Sequence, residues 1–392
     1  MSTFATLSDT RSPIRVILIG AGLMGKKWIS VLTASADVEL VGLVDLNLSA
    51  AEAALHQAGL DHVPAGTNLT DLARATGAQA VVNVTVPAAH HPTNIEALFG
   101  GLPVLCEKPV APTVSQGLSL AAASEVTGQL LMISQSRRYY RTLAALKNNL
   151  SSLGEVGIVT TEFFKAPHFG GFREEMEHVL LIDMAIHAFD VARYLLGQEP
   201  VSVYCEEYNP SWSWYAGDAA TTAVFEFSGG ARFVFTGSWC SAGLETSWNG
   251  NWRMSGALGT AKWDGENEAT FELVDQGESG SAFPLDGGTP SPEEIAGSLA
   301  EFVNALRWGT VPSGEVHGNI LSLAMVEAAV QSSEQGNRVS IEGVLDAARA
   351  SALSTEPNTE VKAALSAWSS DRATLAGLSG FAAMAPMHST QR

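Results

Sequence analysis

In the first third of the chain the apolar positions come in short unbroken runs rather than in alternation. Ile14 to Ile19, "VELVGLVD" ending at Asp45, "AQAVVNVTVP" (Ala78 to Pro87), "LPVLCEKPV" (Leu102 to Val110) and "QLLMISQS" (Gln129 to Ser136) each read as a strand buried on both faces. Helical stretches separate them at Lys26 to Ser35, Pro92 to Phe99 and "SQGLSLAAASEVTG" (Ser115 to Gly128). Strands alternating with short helices predict a doubly wound parallel sheet, a Rossmann-type α/β domain over residues 13–135. The pattern then changes. "RRYYRTLAALKNNL" (Arg137 to Leu150) reads as a crossover helix, and "EVGIVTTEFFK" opens a β-rich section. "VSVYCEEYN", "AATTAVFEF", "ARFVFTGSW", "NWRMSG", "TAKWDG" and "ATFELV" follow as strands, with "FSGGAR" as a hairpin. They predict a second domain over 136–341, built on a large open, mostly antiparallel sheet. Helices are expected at Pro292 to Trp308 and about Asn319 to Glu334. Met1 to Ser12 reads as a flexible tail. Residues 342–392 form an Ala/Ser-rich extension, helical in places and ending in "MAPMHSTQR", that either packs on a neighbouring subunit or frays. No internal repeat is present.

One helical run breaks the apolar rule. "VLLIDMAIHAFD" (Val179 to Asp190) carries Asp183, His187 and Asp190 at spacings that share one helix face. Such a stripe is either a self-satisfying buried polar set, a solvent-facing edge, or a site of chemistry.

Composition narrows the function class. The 392 residues carry 22 Lys and Arg against 41 Asp and Glu, a net charge of −19, which disfavours nucleic acid and anionic membranes as partners. Three widely spaced cysteines, Cys106, Cys205 and Cys240, fit a reducing cytoplasm and offer no metal spacing. No apolar run approaches the roughly 18 residues of a membrane span, and the N-terminus lacks the basic start of a signal peptide.

Candidate chemistry starts at the first strand's end. Gly20, Gly22 and Gly25 form a G-x-G-x-x-G, with Leu23 and Met24 inside it, directly between a strand and a helix. Asp45 ends the next strand, twenty residues past Gly25, where a carboxylate accepts from the adenosine ribose hydroxyls of a bound dinucleotide. The glycines let backbone approach the pyrophosphate, and the helix N-terminus favours its charge. Asp45 is followed by Leu46 and Asn47 with no adjacent Arg, so NAD is expected rather than NADP; Lys26 and Lys27 are the nearby cations that bear on the choice. Ligands of such sheets lie beyond the strands' carboxyl ends. Thr85, His90, Glu107, Lys108 and Gln135 fall there and are expected to face the cofactor.

In this order, GAGLMG, Asp45, TVPAAHHP, CEKP and Asp183-x-x-x-His187 resemble the Gfo/Idh/MocA family of nicotinamide-dependent sugar and polyol oxidoreductases, over roughly residues 13 to 340. The resemblance implies a catalytic trio of Lys108, Asp183 and His187. His187 would be the general base for a hydroxyl, Asp183 would orient it, and Lys108 would stabilise developing alkoxide and bind the cofactor ribose. Asp190 is expected to be a structural partner. Ala185 stands where the motif has glycine, and Glu177, His178 and Val179 stand where glycines precede the aspartate, so the pocket floor is expected to differ. In the family the open sheet commonly forms the oligomer interface, which implies a dimer or tetramer.

The implied activity is NAD-dependent oxidation of a secondary hydroxyl of a sugar. An alternative on the same scaffold is an NAD-dependent glycosidase that oxidises, eliminates, adds water and re-reduces with no net redox. It needs a second base, for which His178, Tyr139, Tyr140 and His168 are candidates. Arg137, Arg138 and Arg141 cluster after the last parallel strand, and Lys165 and Arg173 flank "APHFGGF". With Tyr139, His168 and His178, the residues Arg137, Lys165 and Arg173 make up the expected substrate contacts. Either these cations meet an anionic sugar, such as a uronate or sulfo-sugar glycoside, or they pair with Glu174, Glu175 and Glu177 or with the pyrophosphate. "YNPSWSWYAGD" and "SWNGNWR" are Trp-rich stretches suited either to stacking on sugar rings or to packing.

Overall fold

The computed structural model describes residues 4–274, 279–282, 291–371 and 374–375. Within them, β1 (Ile14–Ile19), α1 (Leu23–Ala34), β2 (Val38–Val44), α2 (Leu48–Gln57), β3 (Ala65–Gly66), α3 (Leu69–Thr76), β4 (Ala80–Asn83), α4 (Pro87–Phe99), β5 (Val104–Glu107), α5 (Val114–Thr127) and β6 (Leu131–Ser134) alternate as expected. The six strands form one parallel sheet in the order β3-β2-β1-β4-β5-β6, the order of a dinucleotide-binding fold. β2, β1, β4 and β5 are the inner strands, and Ile17, Leu18, Leu43, Val81, Val82, Val104 and Leu105 are fully buried, which is why their sequences do not alternate. β3, α2 and α3 had no strong apolar signal. Asn47 and Asn68 start the two helices by accepting from Ala50 and Asp71 N–H.

Then come α6 (Arg141–Asn149), β7 (Val156–Phe164), a π-helical turn (Leu180–Ala185) and α7 (Ile186–Leu196). The strands β8 (Pro200–Tyr208), β9 (Ala220–Phe227), β10 (Arg232–Ser238), β11 (Asn251–Gly256), β12 (Gly259–Trp263), β13 (Thr270–Leu273) and β14 (Ser279–Ala282) follow. The helices α8 (Glu294–Trp308) and α9 (Val316–Gln335), the short β15 (Val339–Ser340), α10 (Ile341–Thr355) and α11 (Thr359–Ala367) complete the chain. The second sheet has nine strands, β14-β13-β12-β11-β7-β10-β9-β8-β15, antiparallel except where β10 runs parallel to β7. The hairpin expected at "FSGGAR" joins β9 and β10, with Gly230 at φ +88°.

The described residues divide into two compact units. The first takes the described residues among 4–136, 295–320 and 346–375, the second those among 137–294 and 321–345. The boundary read at 135 therefore falls one residue early. The chain after it does not stay in one body, because residues 295–320 and 346 onward return to the first unit.

Two expectations about the ends are corrected. The segment before Ser12 is not loose from Phe4 onward: Phe4 is buried, and Ala5 and Leu7 N–H donate to the carbonyls of Gly128 and Leu306. An aromatic anchor and two backbone bonds outweigh the polar look of the segment. The extension from 342 packs on its own chain. Val361 and Leu365 of α11 are fully buried, and the Trp368 indole N–H donates to Glu125 of α5 at 3.0 Å. Residues 117–124 of α5 are all buried, which explains the lack of a polar face there. Residues 376–392, with "MAPMHSTQR", lie outside the described residues.

In the first unit, buried His317 sits between carboxylates. Its Nδ1 lies 2.7 Å from Glu315 and its Nε2 3.0 Å from Glu125. Burial alone would lower its pKa, but the two acids outweigh burial and hold it at about 9. In the second unit, the Arg138 guanidinium forks onto Asp190, Nε to Oδ2 at 2.7 Å and Nη2 to Oδ1 at 2.5 Å, with both side chains 1% exposed. Ser322 Oγ donates to Asp190 at 2.7 Å and receives Arg193 at 2.8 Å, and Arg193 in turn forks onto Glu199. Asp190 is the structural partner expected. On the adjoining side α7 packs Phe189 edge-on against Phe225 and Phe235 of the sheet, at 4.7 and 5.6 Å. All three cysteines are free and buried. Among the described residues no helix is long and apolar enough to cross a membrane.

Two predictions follow from these buried charges. Asp190→Ala strands the Arg138 charge and is expected to lower unfolding stability by about 3–5 kcal/mol in urea titration; Arg138→Met/Asp190→Leu together should recover much of the loss. His317 has a folded pKa above its ordinary 6.5. Its contribution is therefore complete below pH 6.5 and is lost as pH rises through about 9. Urea midpoints measured from pH 6 to 10 should fall across that window in the native protein and fall less in His317→Gln.

Candidate functional site

In the first unit the chain turns sharply after β1. Gly20 has φ +106°, and a Cβ there would stand 2.8 Å from the Val84 carbonyl oxygen. A Cβ on Gly25 would stand 2.1 Å from the Gly20 carbonyl, so α1 lies against the turn only because that side chain is missing. Gly22 differs. Nothing lies within 4 Å of where its Cβ would be, and α1 begins there with no side-chain cap. Unsatisfied backbone N–H groups at an open helix N-terminus attract phosphate. Leu23 and Met24 form the start of that helix, with Leu23 largely exposed. Half-buried Asp45 is held beside the turn. Its Oδ2 accepts the Ala21 N–H at 2.8 Å and its Oδ1 the Asn47 N–H at 2.8 Å. Ribose hydroxyls can still donate to this carboxylate, whereas a 2′-phosphate would be repelled. The open cradle and the fixed carboxylate fit an adenine dinucleotide without a 2′-phosphate.

The other strand-end residues of this unit are built into the surrounding backbone. Thr85 binds Asn83 Oδ1 through both its N–H and its hydroxyl. His90 is 1% exposed and has a carbonyl at each ring nitrogen, Pro109 at 2.6 Å from Nδ1 and Thr85 at 3.0 Å from Nε2. Burial lowers its pKa, and Lys108 adds to that. His90 thus ties the turn after β4 to the turn after β5. Glu107 accepts the indole N–H of fully buried Trp28 at 2.9 Å. Lys108 is half-buried and precedes Pro109 through a cis peptide bond. Gln135 is 1% exposed, and among the described residues its side-chain amide has no hydrogen-bond partner.

In the second unit, Asp183 lies on a π-helical turn and His187 on the first turn of α7. The expected α-helix thus widens where the motif departs from glycine, and such wide turns recur at functional sites. His187 lines a pocket with Arg137, Phe163, Trp248, Asn249, Trp252 and Trp263. Arg137 sits in a 3₁₀ turn, Ser136–Tyr139, and donates from Nη1 to the Tyr140 hydroxyl at 3.2 Å. Half-buried Tyr139 ends the same turn.

The remaining expected substrate contacts lie in the same unit with protein partners. Lys165 pairs with Glu245 at 3.0 Å and sits 5.0 Å over the Trp248 ring. Arg173 donates to Asp183 at 2.7 Å. His168 stacks on Trp214 at 3.8 Å. His178 Nδ1 lies 2.7 Å from the fully buried Glu207 carboxylate, which raises the histidine's pKa. Arg141 pairs with Glu293. Pairing with acids was one of the two readings of these cations, but the acids found are Glu245, Asp183, Asp190 and Glu293, none of them among Glu174, Glu175 and Glu177. Trp28, Asn83 and the pocket walls Trp248, Asn249, Trp252 and Trp263 were not assigned from sequence. "SWNGNWR" carried the signal for three of them. Trp28 gave none, since a helical tryptophan reads as core. Among the described residues no group of three His, Cys, Asp or Glu could hold a metal ion.

Comparison with known proteins gives the same two-part picture. A family model described as an oxidoreductase family with an NAD-binding Rossmann fold matches residues 14–135. A second, the GFO/IDH/MocA C-terminal domain, matches residues 150–262. The uncharacterized protein y4oX of Sinorhizobium fredii is 27% identical over 357 residues, 86% of this chain and 98% of that one. Inositol 2-dehydrogenase 4 of Saccharopolyspora erythraea is 32% identical over 194 residues, 48% of this chain and 56% of that protein. An Agrobacterium radiobacter oxidoreductase, solved in complex with NAD+, L-tartaric acid and magnesium, superposes with a TM-score of 0.74 at 20% identity. That superposition covers 85% of this chain and 99% of the other, and at this identity it speaks for the fold. Both domain models match in order on a fold with this strand topology, and the chain belongs to the Gfo/Idh/MocA family of NAD-binding oxidoreductases.

Proposed function

We propose that the protein is an NAD-dependent dehydrogenase that oxidises a secondary hydroxyl of a sugar or cyclic polyol. The observation that supports it most is the open glycine turn with Asp45 fixed beside it, in a chain of the Gfo/Idh/MocA family whose His187 lines a small pocket with Arg137, Asn249 and the exposed Trp248. The exposed indole of Trp248 can stack on the apolar face of a saturated ring, whereas Trp252 and Trp263 are packed in the sheet. Membership of a family that includes inositol 2-dehydrogenase 4 supports the same substrate class.

Bound NAD supplies the hydride acceptor. The chain's own task is the proton. In this reading His187 Nε2 or Nδ1 takes the hydroxyl proton as the carbinol C–H bond breaks, and an imidazole titrates in the right range for that. Asp183, on the π-helical turn that precedes His187, is given the task of orienting the ring. Lys108 stabilises the developing alkoxide, and Asp45 holds the adenosine ribose. Glu107 is the carboxylate beside Lys108, fixed by Trp28. An anionic substrate group has Arg137 as its best-placed receptor, because Lys165 and Arg173 already have carboxylate partners. The glycosidase alternative uses the same groups plus a second base, and the His178–Glu207 couple is the imidazole–carboxylate pair that favours keeping it. A homo-oligomer is part of the same reading.

Purified protein with NAD and a panel of cyclic polyols, neutral sugars and uronates is expected to accumulate NADH, followed at its own absorbance. Aglycone release from glycosides without NADH would replace this reading with the glycosidase. His187→Ala and Lys108→Ala should each lower turnover by about 10²–10⁴-fold, with NAD affinity held near native. Near-native turnover in His187→Ala would remove it as the base. Asp45→Ala should weaken NAD more than NADP in calorimetric titration; tighter NADP binding by native protein would refute the role given to Asp45.

A further inference from the structure

The Asp183 carboxylate carries an unexpected partner. Arg173, ten residues earlier, donates from Nε to Asp183 Oδ2 at 2.7 Å. Its side chain is 33% exposed and that of Asp183 18%, so the pair lies at the edge of the interior rather than free in water. The guanidinium is also fixed from its own segment, over the rings of Phe169 at 5.3 Å and Phe172 at 4.8 Å. That segment turns back on itself at Gly170 and Gly171, with φ +66° and +65°. Gly170, with ψ 177°, occupies a region almost closed to other residues. Glu174 closes the turn by accepting the Gly170 N–H at 2.8 Å. The arginine is therefore held in place before it meets the carboxylate. On the other side, Asp183 sits on a π-turn, a backbone form with little intrinsic stability, so an external brace has something to correct.

We propose that Arg173 is a positioning residue for Asp183, fixing the direction of its carboxylate and neutralising part of its charge toward His187. This rests on the dehydrogenase reading. An oriented carboxylate aligns an imidazole; an uncompensated one also holds it protonated, and a protonated ring cannot accept the substrate's proton. Arg173 separates the two effects. Tyr215, pushed up to about 12 by burial and then by Glu174 and more weakly by Asp183, stays neutral in the working range. Glu174 is occupied at Gly170. Around His187 the pocket walls are apolar or neutral except for Arg137.

The test uses full-length Arg173→Ala and Arg173→Lys, with kcat, KM, calorimetric NAD affinity and the pH profile of kcat/KM on the best polyol or sugar of the panel. Arg173→Ala is expected to lose about 10²-fold in kcat/KM, the cost of misplacing a catalytic group by roughly an ångström, mostly in kcat and with NAD affinity unchanged. Its acidic limb should move up by roughly one pH unit, the size of effect a neighbouring charge produces. Arg173→Lys keeps the charge and should restore the limb and part of the rate. Native-like rate and limb in Arg173→Ala overturn the proposal, and so does a loss that Lys does not rescue and that leaves the limb in place. No turnover by the native protein on any member of the panel overturns the dehydrogenase reading and this inference with it.

Discussion

The geometry of the second unit depends on one buried ion pair. Asp190 and Arg138 are both out of water, and neither charge is tolerable there alone. Their fork-to-fork contact fixes the rotation of α7 about its axis. Asp190 is three residues past His187, so fixing the first sets the direction of the second. The same contact fixes the turn Ser136–Tyr139, and with Arg138 committed inward its neighbour Arg137 is left to line the pocket with His187. Ser322, Arg193 and Glu199 extend the pair into a satisfied network, which turns a costly burial into a specific one. Phe189, the residue before Asp190, packs against Phe225 and Phe235 and holds the adjoining side of the helix.

What was legible in the sequence follows from what is local. The parallel strands were readable because burial on both faces leaves unbroken apolar runs, and the glycine turn was readable because Gly20 takes a positive φ and Gly25 lies against Gly20, five residues away. The Asp183/His187 stripe was visible as polar residues in an apolar helix. The π-turn was not, since it depends on what replaces the motif glycines in space. β3, α2 and α3 escaped because their positions come from pairing and asparagine caps rather than from apolar periodicity. The partners of Arg173, Lys165 and Arg141 lie 10 to 152 residues away in sequence, and no spacing rule connects them. The Trp-rich "SWNGNWR" was visible but ambiguous, because packing and ligand stacking ask for the same side chain.

The distribution of charge also has a reading. A chain at −19 with only 22 cations spends several of them on its own interior. Arg138, Arg193, Arg173 and Lys165 all meet carboxylates of the second unit. Cationic residues clustered in sequence therefore did not translate into a cationic surface. An anionic ligand would meet one guanidinium at the His187 pocket, against a background field that repels it. Neutral, hydroxylated rings face no such penalty.

The docking of α11 on α5 bears on how the protein comes off the ribosome. Helix α5 ends at Thr127, and Trp368, which reaches its Glu125, is about 240 residues further along the chain. At about 5–20 residues per second, roughly ten to fifty seconds of translation separate the two. Through that interval the nascent nucleotide-binding unit has its sheet and glycine turn but lacks the helix that covers α5. Its late cover makes it a unit completed long after its sheet has been made. A nascent chain stalled before α11 would leave an apolar helix open to chaperones or to another copy of itself.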